Sequence, residues 1–225
     1  MIALLSCAVL LSAQQIKVLS DNIHHGEGAD GKLDLPRSAR VIQSVDPDLV
    51  AVQEVDLRTK RANGVDQAAE LARPTRMHEV FGRTIDHQGG WYGNLLLSRW
   101  HVRGFTVQAC EFRIFATHLD ITEKDRLLAA ERLPKRIAEL PAGSPMILAG
   151  DFNAAPGSPA FKALSEHWTI DPEAKPTTPA DKPGKQIDFV AFRPRNRWKI
   201  ISTRVLDEPV ASDHRPILMT LEPID

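Results

Sequence analysis

Cysteine is scarce in this 225-residue sequence, which contains only Cys7 and Cys110. Two cysteines cannot form a disulfide framework, and they exclude a zinc site built from several thiolates. Thirteen glycines and sixteen prolines are ordinary numbers for this length, which excludes collagen-like and low-complexity chains. We expect Cys110 to fill a strand position as a small hydrophobic side chain.

The sequence also lacks an excess of charge of either sign. Twenty-eight Lys and Arg residues against 29 Asp and Glu residues leave a formal net charge of −1. A protein held to nucleic acid by its overall charge usually has a basic excess, so nucleic acid is only a secondary candidate partner, and no stable protein partner is implied. Hydrophobic residues at 43% and charged residues at 25% are typical of a globular domain with a buried core.

The first thirteen residues carry no charge and end in Leu-Ser-Ala. This pattern predicts a signal peptide at 1–13, followed by a single domain at 14–225, and therefore a periplasmic or secreted protein. The apolar run is shorter than the roughly 20 residues that span a bilayer. The first basic residue, Lys17, comes after the predicted cleavage point, so the usual positive start of a signal peptide is absent. Lipoprotein anchoring through Cys7 and a buried first strand are the weaker alternatives.

Strand and helix patterns are mixed along the whole chain, with no internal repeat. Apolar alternation and short apolar runs predict strands at 16–20, 49–55, 80–81, 95–97, 106–109, 112–117, 146–150, 187–192, 199–206 and 217–221. Capping residues and apolar stripes predict helices at 34–45, 66–73, 122–140 and 158–164. Pro134 predicts a kink or a break in the third helix. The segment 172–185 is predicted to be a surface loop, and one α/β domain accounts for the whole pattern.

Polar residues stand where several of these strands end. They are Asn22, His24 and His25, Glu54, His118, Asp151 and Asn153, Asp188, and Asp213 with His214. Polar groups at strand ends meet at one edge of an α/β sheet, which is the usual place for a site. Carboxylates and amides without thiolates favour Mg²⁺, with Mn²⁺ or Ca²⁺ as alternatives. For His24 and His25, a position near this site and a glycine-rich turn that tolerates them both remain open.

Six short sequence motifs contain most of these residues. They read Asn-Ile-His-His-Gly, Gln-Glu-Val-Asp, Tyr-Gly-Asn, Thr-His-Leu, Gly-Asp-Phe-Asn and Ser-Asp-His-Arg-Pro, and they run in this order from Asn22 to Pro216. With these blocks the chain resembles the endonuclease/exonuclease/phosphatase superfamily, and most of all its bacterial metal-dependent hydrolase branch. The resemblance implies an α/β fold of the α+β type, a four-layer α/β sandwich in which two mixed β-sheets lie face to face with helices outside.

The resemblance also implies how metal and water are held. Glu54 is expected to be the principal metal ligand, with Asn22 beside it and Asp213 as a further contributor. Asp151 is expected to orient and deprotonate the attacking water. Asn153 is expected to hold both Asp151 and the phosphate.

A second group of residues is expected to contact the phosphate. Asp188 and His214 resemble the hydrogen-bonded pair in which the carboxylate fixes the tautomer of the imidazole and favours its cationic form. His118 resembles the second histidine, which contacts the scissile phosphate or the leaving group. Asn94 matches a polar residue of the phosphate pocket.

Three features depart from the family pattern, and Pro134, described above, is one of them. Asp21 stands where an aromatic or apolar residue usually precedes the asparagine, so either a core position carries a charge or the first strand lies at a sheet edge. The stretch 100–115 is short, which indicates a trimmed hairpin at one wall of the cleft.

Taken together, the sequence predicts a Mg²⁺-dependent phosphoesterase that cleaves a phosphodiester of a small molecule or lipid headgroup. The alternatives are a secreted nuclease with the same chemistry and a phosphomonoesterase. A nuclease needs rows of basic side chains for the phosphate backbone, and the candidates are 58–61 and 193–199.

Overall fold

The computed structural model describes residues 15–103, 106–107, 112–137, 140, 143–171 and 175–224. The predicted signal peptide at 1–13, Cys7 and Cys110 lie outside the described residues, as does part of the stretch 100–115. Within the described ranges, no helix is both long enough and apolar enough to cross a membrane.

The described residues form twelve β-strands, four α-helices and two short 3-10 turns. The strands are β1 (Ile16–Asn22), β2 (Leu49–Leu57), β3 (His78–His87), β4 (Gly90–Ser98), β5 (Val102–Arg103), β6 (Thr106–Val107), β7 (Arg113–His118), β8 (Met146–Asp151), β9 (Thr169–Ile170), β10 (Asp188–Arg193), β11 (Trp198–Val205) and β12 (Ile217–Pro223). The helices are α1 (Leu35–Val45), α2 (Gln67–Thr75), α3 (Glu123–Ile137) and α4 (Pro159–Ser165), and the 3-10 turns are His24–Gly26 and Arg195–Arg197.

Two mixed six-stranded sheets are built on the same plan. Their strand orders are β11-β12-β1-β2-β4-β3 and β5-β6-β7-β8-β10-β9. Each sheet has one parallel pair, β1 with β2 and β7 with β8, and every other neighbouring pair is antiparallel. Because α1 and α3 provide the crossovers within these parallel pairs, the carboxyl ends of both strands of a pair lie at the same edge of their sheet.

The core consists of three layers of apolar side chains. Between the sheets, residues such as Val18 and Ala51 pack against Ile114 and Phe192. On the outer face of the first sheet, side chains of β1 and β2 pack against α1 and α2, and on the outer face of the second sheet, side chains of β8 and β10 pack against α3 and α4. The four-layer α/β sandwich expected from the resemblance is therefore confirmed.

Local signals explain where the helices begin. The carboxylates of Asp34 and Asp66 accept from the backbone N–H groups of Arg37 and Ala69 at 3.0 and 3.1 Å, and these contacts satisfy N–H groups that have no partner within the helix. Asp46 ends α1 in the left-handed conformation, directly before Pro47. The caps at Asp34 and Asp66 lie where the sequence pattern predicted them.

The proline predictions for the helices were too strict. α3 continues for three residues beyond Pro134, so the predicted alternative of a break there is wrong, and α2 runs one residue beyond Pro74 instead of ending before it. Pro74 has no N–H to donate to the carbonyl of Glu70, and α2 ends one residue after it.

The segment 172–185 is more than a surface loop. In its described part, Thr177 and Ala180 are buried, and the backbone N–H of Arg215 donates to the Thr177 carbonyl at 2.7 Å. The loop is therefore attached to the chain that leads into β12.

Asp21 occupies a core position in a central strand. β1 lies between β12 and β2, so it is not at a sheet edge, and Asp21 is only 3% exposed. Burial raises the pKa of this carboxyl to about 7, with a further contribution from the negative charge of Asp188.

Candidate active site

The edge of each sheet where the parallel strands end carries most of the predicted site. Asn22 ends β1, His118 ends β7, and Asp151 ends β8. Asp188 begins β10 and pairs with Asp151, because β10 runs antiparallel to β8. His214 lies just before β12, which runs antiparallel to β1. All five side chains therefore meet where the two sheets face each other.

Asn22 lies at the centre of this arrangement and is 1% exposed. Its amide Nδ2 donates to Oε1 of Glu54 at 3.1 Å and to Oδ2 of Asp151 at 3.2 Å. Its Oδ1 accepts from the backbone N–H of His24 at 3.0 Å, and its own carbonyl accepts from the hydroxyl of Ser212 at 2.6 Å. One buried amide therefore fixes the relative positions of two carboxylates from different sheets.

A β-bulge places Glu54. Val52 pairs with Leu95 and Val55 pairs with Gly93, so two residues of β2 lie opposite the single residue Asn94. Bulges redirect side chains and are common beside active sites. Glu54 has a φ of 60°, which is uncommon for a residue other than glycine and persists only where the surrounding structure fixes it.

The carboxyl group of Asp151 is almost completely buried, with 1% of the residue exposed. Its Oδ1 accepts from the backbone N–H of Asn153 at 2.7 Å, and Nε2 of His118 lies 3.5 Å from its Oδ2. Burial raises the pKa of Asp151 to about 7, and the nearby charge of Asp188 adds to this effect. Asp151 therefore exchanges its proton near neutral pH.

His214 and Asp188 form a buried hydrogen-bonded pair. Nδ1 of His214 lies 2.9 Å from Oδ2 of Asp188, and the same oxygen accepts from the hydroxyl of Thr177 at 2.5 Å. Burial lowers the pKa of His214, but the hydrogen bond and the negative charges of Asp188 and Asp151 outweigh it and raise the pKa to about 9. The ring is therefore cationic at neutral pH.

His118 has the opposite character. Burial is the largest influence on it and lowers the pKa of its imidazole, so this ring is neutral at neutral pH. The loop after it is held by Asn153, whose Nδ2 donates to the carbonyl of Leu119 at 2.9 Å. Asn153 thus contacts Asp151 through its backbone and supports the His118 segment through its side chain.

Asn94 and Asp213 are less closely integrated. Asn94 lies opposite the bulge at Glu54, half-buried, on the face of β4 that is shared with Leu96 and turned toward the second sheet. Asp213 is exposed, and its Oδ1 accepts from the hydroxyl of Ser212 at 3.2 Å. Asp213 belongs to neither of the clusters of possible metal ligands that the described residues form.

Those two clusters have different chemistry. One contains His24, His25 and Glu54, and the other contains Asp151, Asp188 and His214. In the second, the cationic His214 balances a carboxylate through a hydrogen bond, so a metal ion is not needed to explain it. The first presents the carboxylate of Glu54, an oxygen ligand that fits a divalent cation, and the amide nitrogen of Asn22 holds that carboxylate in place. His24 and His25 therefore lie next to the site.

Sequence reasoning missed three residues that organise the site. The hydroxyl of Thr177 donates to Asp188, and Gln67 donates to the carbonyl of His25 at 2.7 Å. Burial is the main cause of a raised pKa for the Tyr92 hydroxyl, and the negative charge of Glu54 contributes to it. Tyr92 stands in the Tyr-Gly-Asn block and was within reach of sequence reasoning, whereas no local pattern distinguishes Thr177 or Gln67.

Comparison with known proteins gives one matching family and several solved structures of the same fold. The model of the Endonuclease/Exonuclease/phosphatase family matches residues 22–214. The chain is 28% identical over 167 residues to the protein YbhP of Escherichia coli (strain K12), a match that covers 61% of this chain and 66% of YbhP, just under two thirds of its length.

Solved structures with the same fold include three relatives. An endonuclease/exonuclease/phosphatase from Beutenbergia cavernae is 24% identical with a TM-score of 0.73, over 93% of this chain and 72% of that one. The mannosyl-6-phosphatase of Bacteroides thetaiotaomicron is 18% identical with a TM-score of 0.72, over 92% and 99%. A humanized D. rerio TDP2 is 16% identical with a TM-score of 0.69, over 92% and 98%. At these identities the likeness concerns the fold.

Proposed function

Because the chain belongs to the endonuclease/exonuclease/phosphatase family, a family of phosphoester hydrolases, we propose that it is an exported, Mg²⁺-dependent phosphodiesterase acting on a small or lipid-linked molecule. The observation that carries the proposal is the pair of hydrogen bonds from Asn22 to Glu54 and Asp151. They place a candidate metal ligand and a candidate proton acceptor on either side of one amide.

Asp151 is the residue suited to activate water. Its pKa of about 7 allows Oδ2 to accept a proton near neutral pH, which is the property that a general base requires. Asn22 and the backbone N–H of Asn153 each donate to one of its oxygens and so fix the direction in which the other lone pairs point. In this role Asp151 orients the attacking water and takes its proton.

His214 is suited to hold the phosphate. With its pKa raised to about 9, the imidazolium carries a positive charge at neutral pH, and Asp188 fixes the orientation of the ring. A preorganised cation in a buried setting stabilises the negative charge that develops on a phosphoryl group. We infer that His118, which is neutral, contacts the scissile phosphate or the leaving group.

Glu54, with Asn22 beside it and Asp213 as a further candidate, would hold the magnesium ion. A bound Mg²⁺ supplies positive charge to the phosphoryl oxygens. Oxygen donors without thiolates fit this ion. The remaining steps depend on Asp151 and His214.

The charge available near the site favours a diester over a monoester. Two arginines close in sequence to site residues are already paired: Arg61 with Asp56 at 2.6 and 3.0 Å, and Arg215 with Asp207 at 2.8 Å. His214 is therefore the buried side-chain cation that we infer for the substrate, in addition to the charge of the metal ion. One buried side-chain cation suits the single charge of a diester, whereas the second charge of a monoester would call for a further one.

The position of the basic stretches disfavours a nuclease. The stretch 193–199 begins at the far end of β10, five residues from Asp188, which corresponds to about 17 Å along an extended strand. It therefore lies at the edge of the sheet opposite the site. Only the stretch 58–61, after β2, stays near Glu54, and Arg61 in it is bound to Asp56.

The deciding experiment compares three substrates with the full chain: an activated phosphodiester, the matched monoester and supercoiled plasmid. Each is incubated with Mg²⁺, with chelator, and with the Asp151→Asn variant, and Asp125→Asn on the exposed face of α3 serves as the matched control. Turnover of the diester that requires Mg²⁺ and Asp151 supports the proposal. Faster turnover of the monoester would replace it with a phosphomonoesterase. Plasmid nicking that weakens steeply with salt would replace it with a nuclease.

A further inference from the structure

His24, His25 and Glu54 bring three different ligand atoms to one place. A ring nitrogen of each histidine and a carboxylate oxygen of Glu54 all lie within 4.8 Å of one another. The histidines belong to the 3-10 turn after β1, and Glu54 belongs to the bulge of β2, so the cluster joins two adjacent strands of the first sheet.

The backbone at all three positions is in an uncommon conformation. His24, His25 and Glu54 have φ values of 45°, 46° and 60°, in the left-handed region that non-glycine residues rarely adopt. Such conformations persist where neighbouring contacts impose them, and they concentrate at functional sites. Here the contacts are the hydrogen bond from the backbone N–H of His24 to Asn22 and the hydrogen bond from Gln67 to the carbonyl of His25.

The side chain of His25 is buried without a hydrogen bond to any described residue. The residue is 9% exposed, its Nδ1 is buried and has no partner, and its Nε2 lies 3.6 Å from Oε2 of Glu27, beyond hydrogen-bond distance. Buried polar atoms in proteins almost always have a hydrogen-bond partner or a ligand. A buried ring nitrogen without a partner is therefore expected to bind a ligand. A metal ion would be such a partner.

We propose that His24, His25 and Glu54 form a site for a divalent transition-metal ion, Mn²⁺, Co²⁺ or Zn²⁺, in preference to Mg²⁺. Imidazole nitrogen is a preferred ligand of ions such as Zn²⁺. Mn²⁺ prefers carboxylate oxygen, which Glu54 provides, but it also accepts imidazole, whereas Mg²⁺ prefers a shell of oxygen ligands and water. The site shares Glu54 with the magnesium site of the proposed function, and it rests on that function only in taking Glu54 to be a metal ligand.

The spacing requires only small movements to close on an ion. Ligand atoms bound at about 2.1 Å in tetrahedral geometry lie about 3.4 Å apart. The ligand atoms of the three side chains therefore need to move by only about 1 Å to bind one ion. The carboxylate of Glu27 lies 3.6 Å from Nε2 of His25. With Nδ1 as the metal ligand, it would stand where a carboxylate commonly orients a metal-bound histidine.

Electron paramagnetic resonance of Mn²⁺ bound to the full chain tests the site without any substrate. The pulsed spectrum is expected to show coupling to imidazole nitrogen, and the dissociation constant for Mn²⁺, measured by titration, is expected to be at least about tenfold lower than that for Mg²⁺. Bound Mn²⁺ without nitrogen coupling, or equal affinity for the two ions, would overturn the proposal.

Two variants assign the signal to residues. His24→Asn and His25→Asn remove the imidazole, and asparagine tolerates the left-handed backbone, so the turn is preserved. Each is expected to weaken Mn²⁺ binding by about tenfold or more and to reduce the nitrogen coupling, whereas His167→Asn, beyond the end of α4, leaves both unchanged. Coupling that survives both substitutions would exclude this site. Hydrolysis of the diester with Mg²⁺ is assayed separately. If nitrogen coupling is observed but the diester is not hydrolysed, only the proposed function is overturned. If the diester is hydrolysed but no nitrogen coupling is observed, only this inference is overturned.

Discussion

Nδ2 of Asn22 lies 3.2 Å from Oδ2 of Asp151, and this hydrogen bond joins the ends of two strands that belong to different sheets. The two residues are 129 positions apart in the chain, so only the packing of the two sheets brings them together. Replacing Asn22 by alanine removes this bond and the one to Glu54. We expect Asn22→Ala to lower kcat/KM by at least about 100-fold and the free energy of unfolding by about 1–3 kcal/mol.

The checks for Asn22→Ala are steady-state kinetics and urea unfolding. Asn196→Ala, in the exposed 3-10 turn before β11, is the matched control and should change neither quantity. Wild-type activity in the Asn22 variant would show that the orientation of the two carboxylates does not depend on this amide.

Glu54→Gln is expected to separate metal binding from folding. The glutamine oxygen still accepts from Nδ2 of Asn22, so the free energy of unfolding should change little, but the negative charge that attracts a divalent cation is lost. The Mg²⁺ concentration for half-maximal activity should rise by about tenfold or more. Glu79→Gln, exposed on β3, provides the comparison, and a magnesium titration that is the same in both variants contradicts the assignment.

The pH dependence of kcat/KM is expected to be bell-shaped. The pKa of Asp151 is raised to about 7, so activity should rise with pH through about 7 as this base loses its proton. The pKa of His214 is raised to about 9, so activity should fall above about 9 as the cation is lost.

Asp188→Asn tests the alkaline limb of that profile. Without the carboxylate, burial dominates and the pKa of His214 decreases, so the alkaline limb should move to lower pH. NMR titration of the His214 ring in metal-free protein measures the same shift without substrate. An alkaline limb that stays in place would mean that another group controls it.

The sequence was sufficient for the fold and for which polar residues meet at one edge, because strand patterns and the residues at strand ends are local properties. Strand predictions such as 49–55 and 146–150 fall within observed strands, and the residues after them meet at one edge. The bulge at Glu54 could not be predicted from the sequence, because it depends on the register between β2 and β4. The burial of Thr177 was also beyond reach, because the partner that buries it lies in another part of the chain.

Thr177 is expected to act as a positioning residue for Asp188. Its hydroxyl donates to Oδ2 of Asp188 at 2.5 Å, and Thr177→Val keeps the shape of the side chain while removing this donor. A buried carboxylate that loses one hydrogen bond reorients, so we expect kcat to fall by about tenfold with little change in KM. Thr178→Val, which removes a hydroxyl that donates to the carbonyl of Asp213 at 3.3 Å, is the control. Equal kinetics in the two variants would remove Thr177 from the site.

Gly150 is expected to be indispensable because β7 and β8 approach each other closely next to Asp151. A Cβ atom at Gly150 would lie 1.9 Å from the carbonyl oxygen of Thr117, a backbone atom that cannot move without displacing β7 and His118 at its end. Gly150→Ala should therefore lower the free energy of unfolding by more than about 2 kcal/mol and reduce activity in the fraction that stays folded. At Gly184, by contrast, a Cβ atom would meet nothing within 4 Å, so Gly184→Ala should change the free energy of unfolding by less than about 0.5 kcal/mol. Urea unfolding of the two alanine variants measures the difference, and equal stability would mean that the two strands are not in close contact at this point.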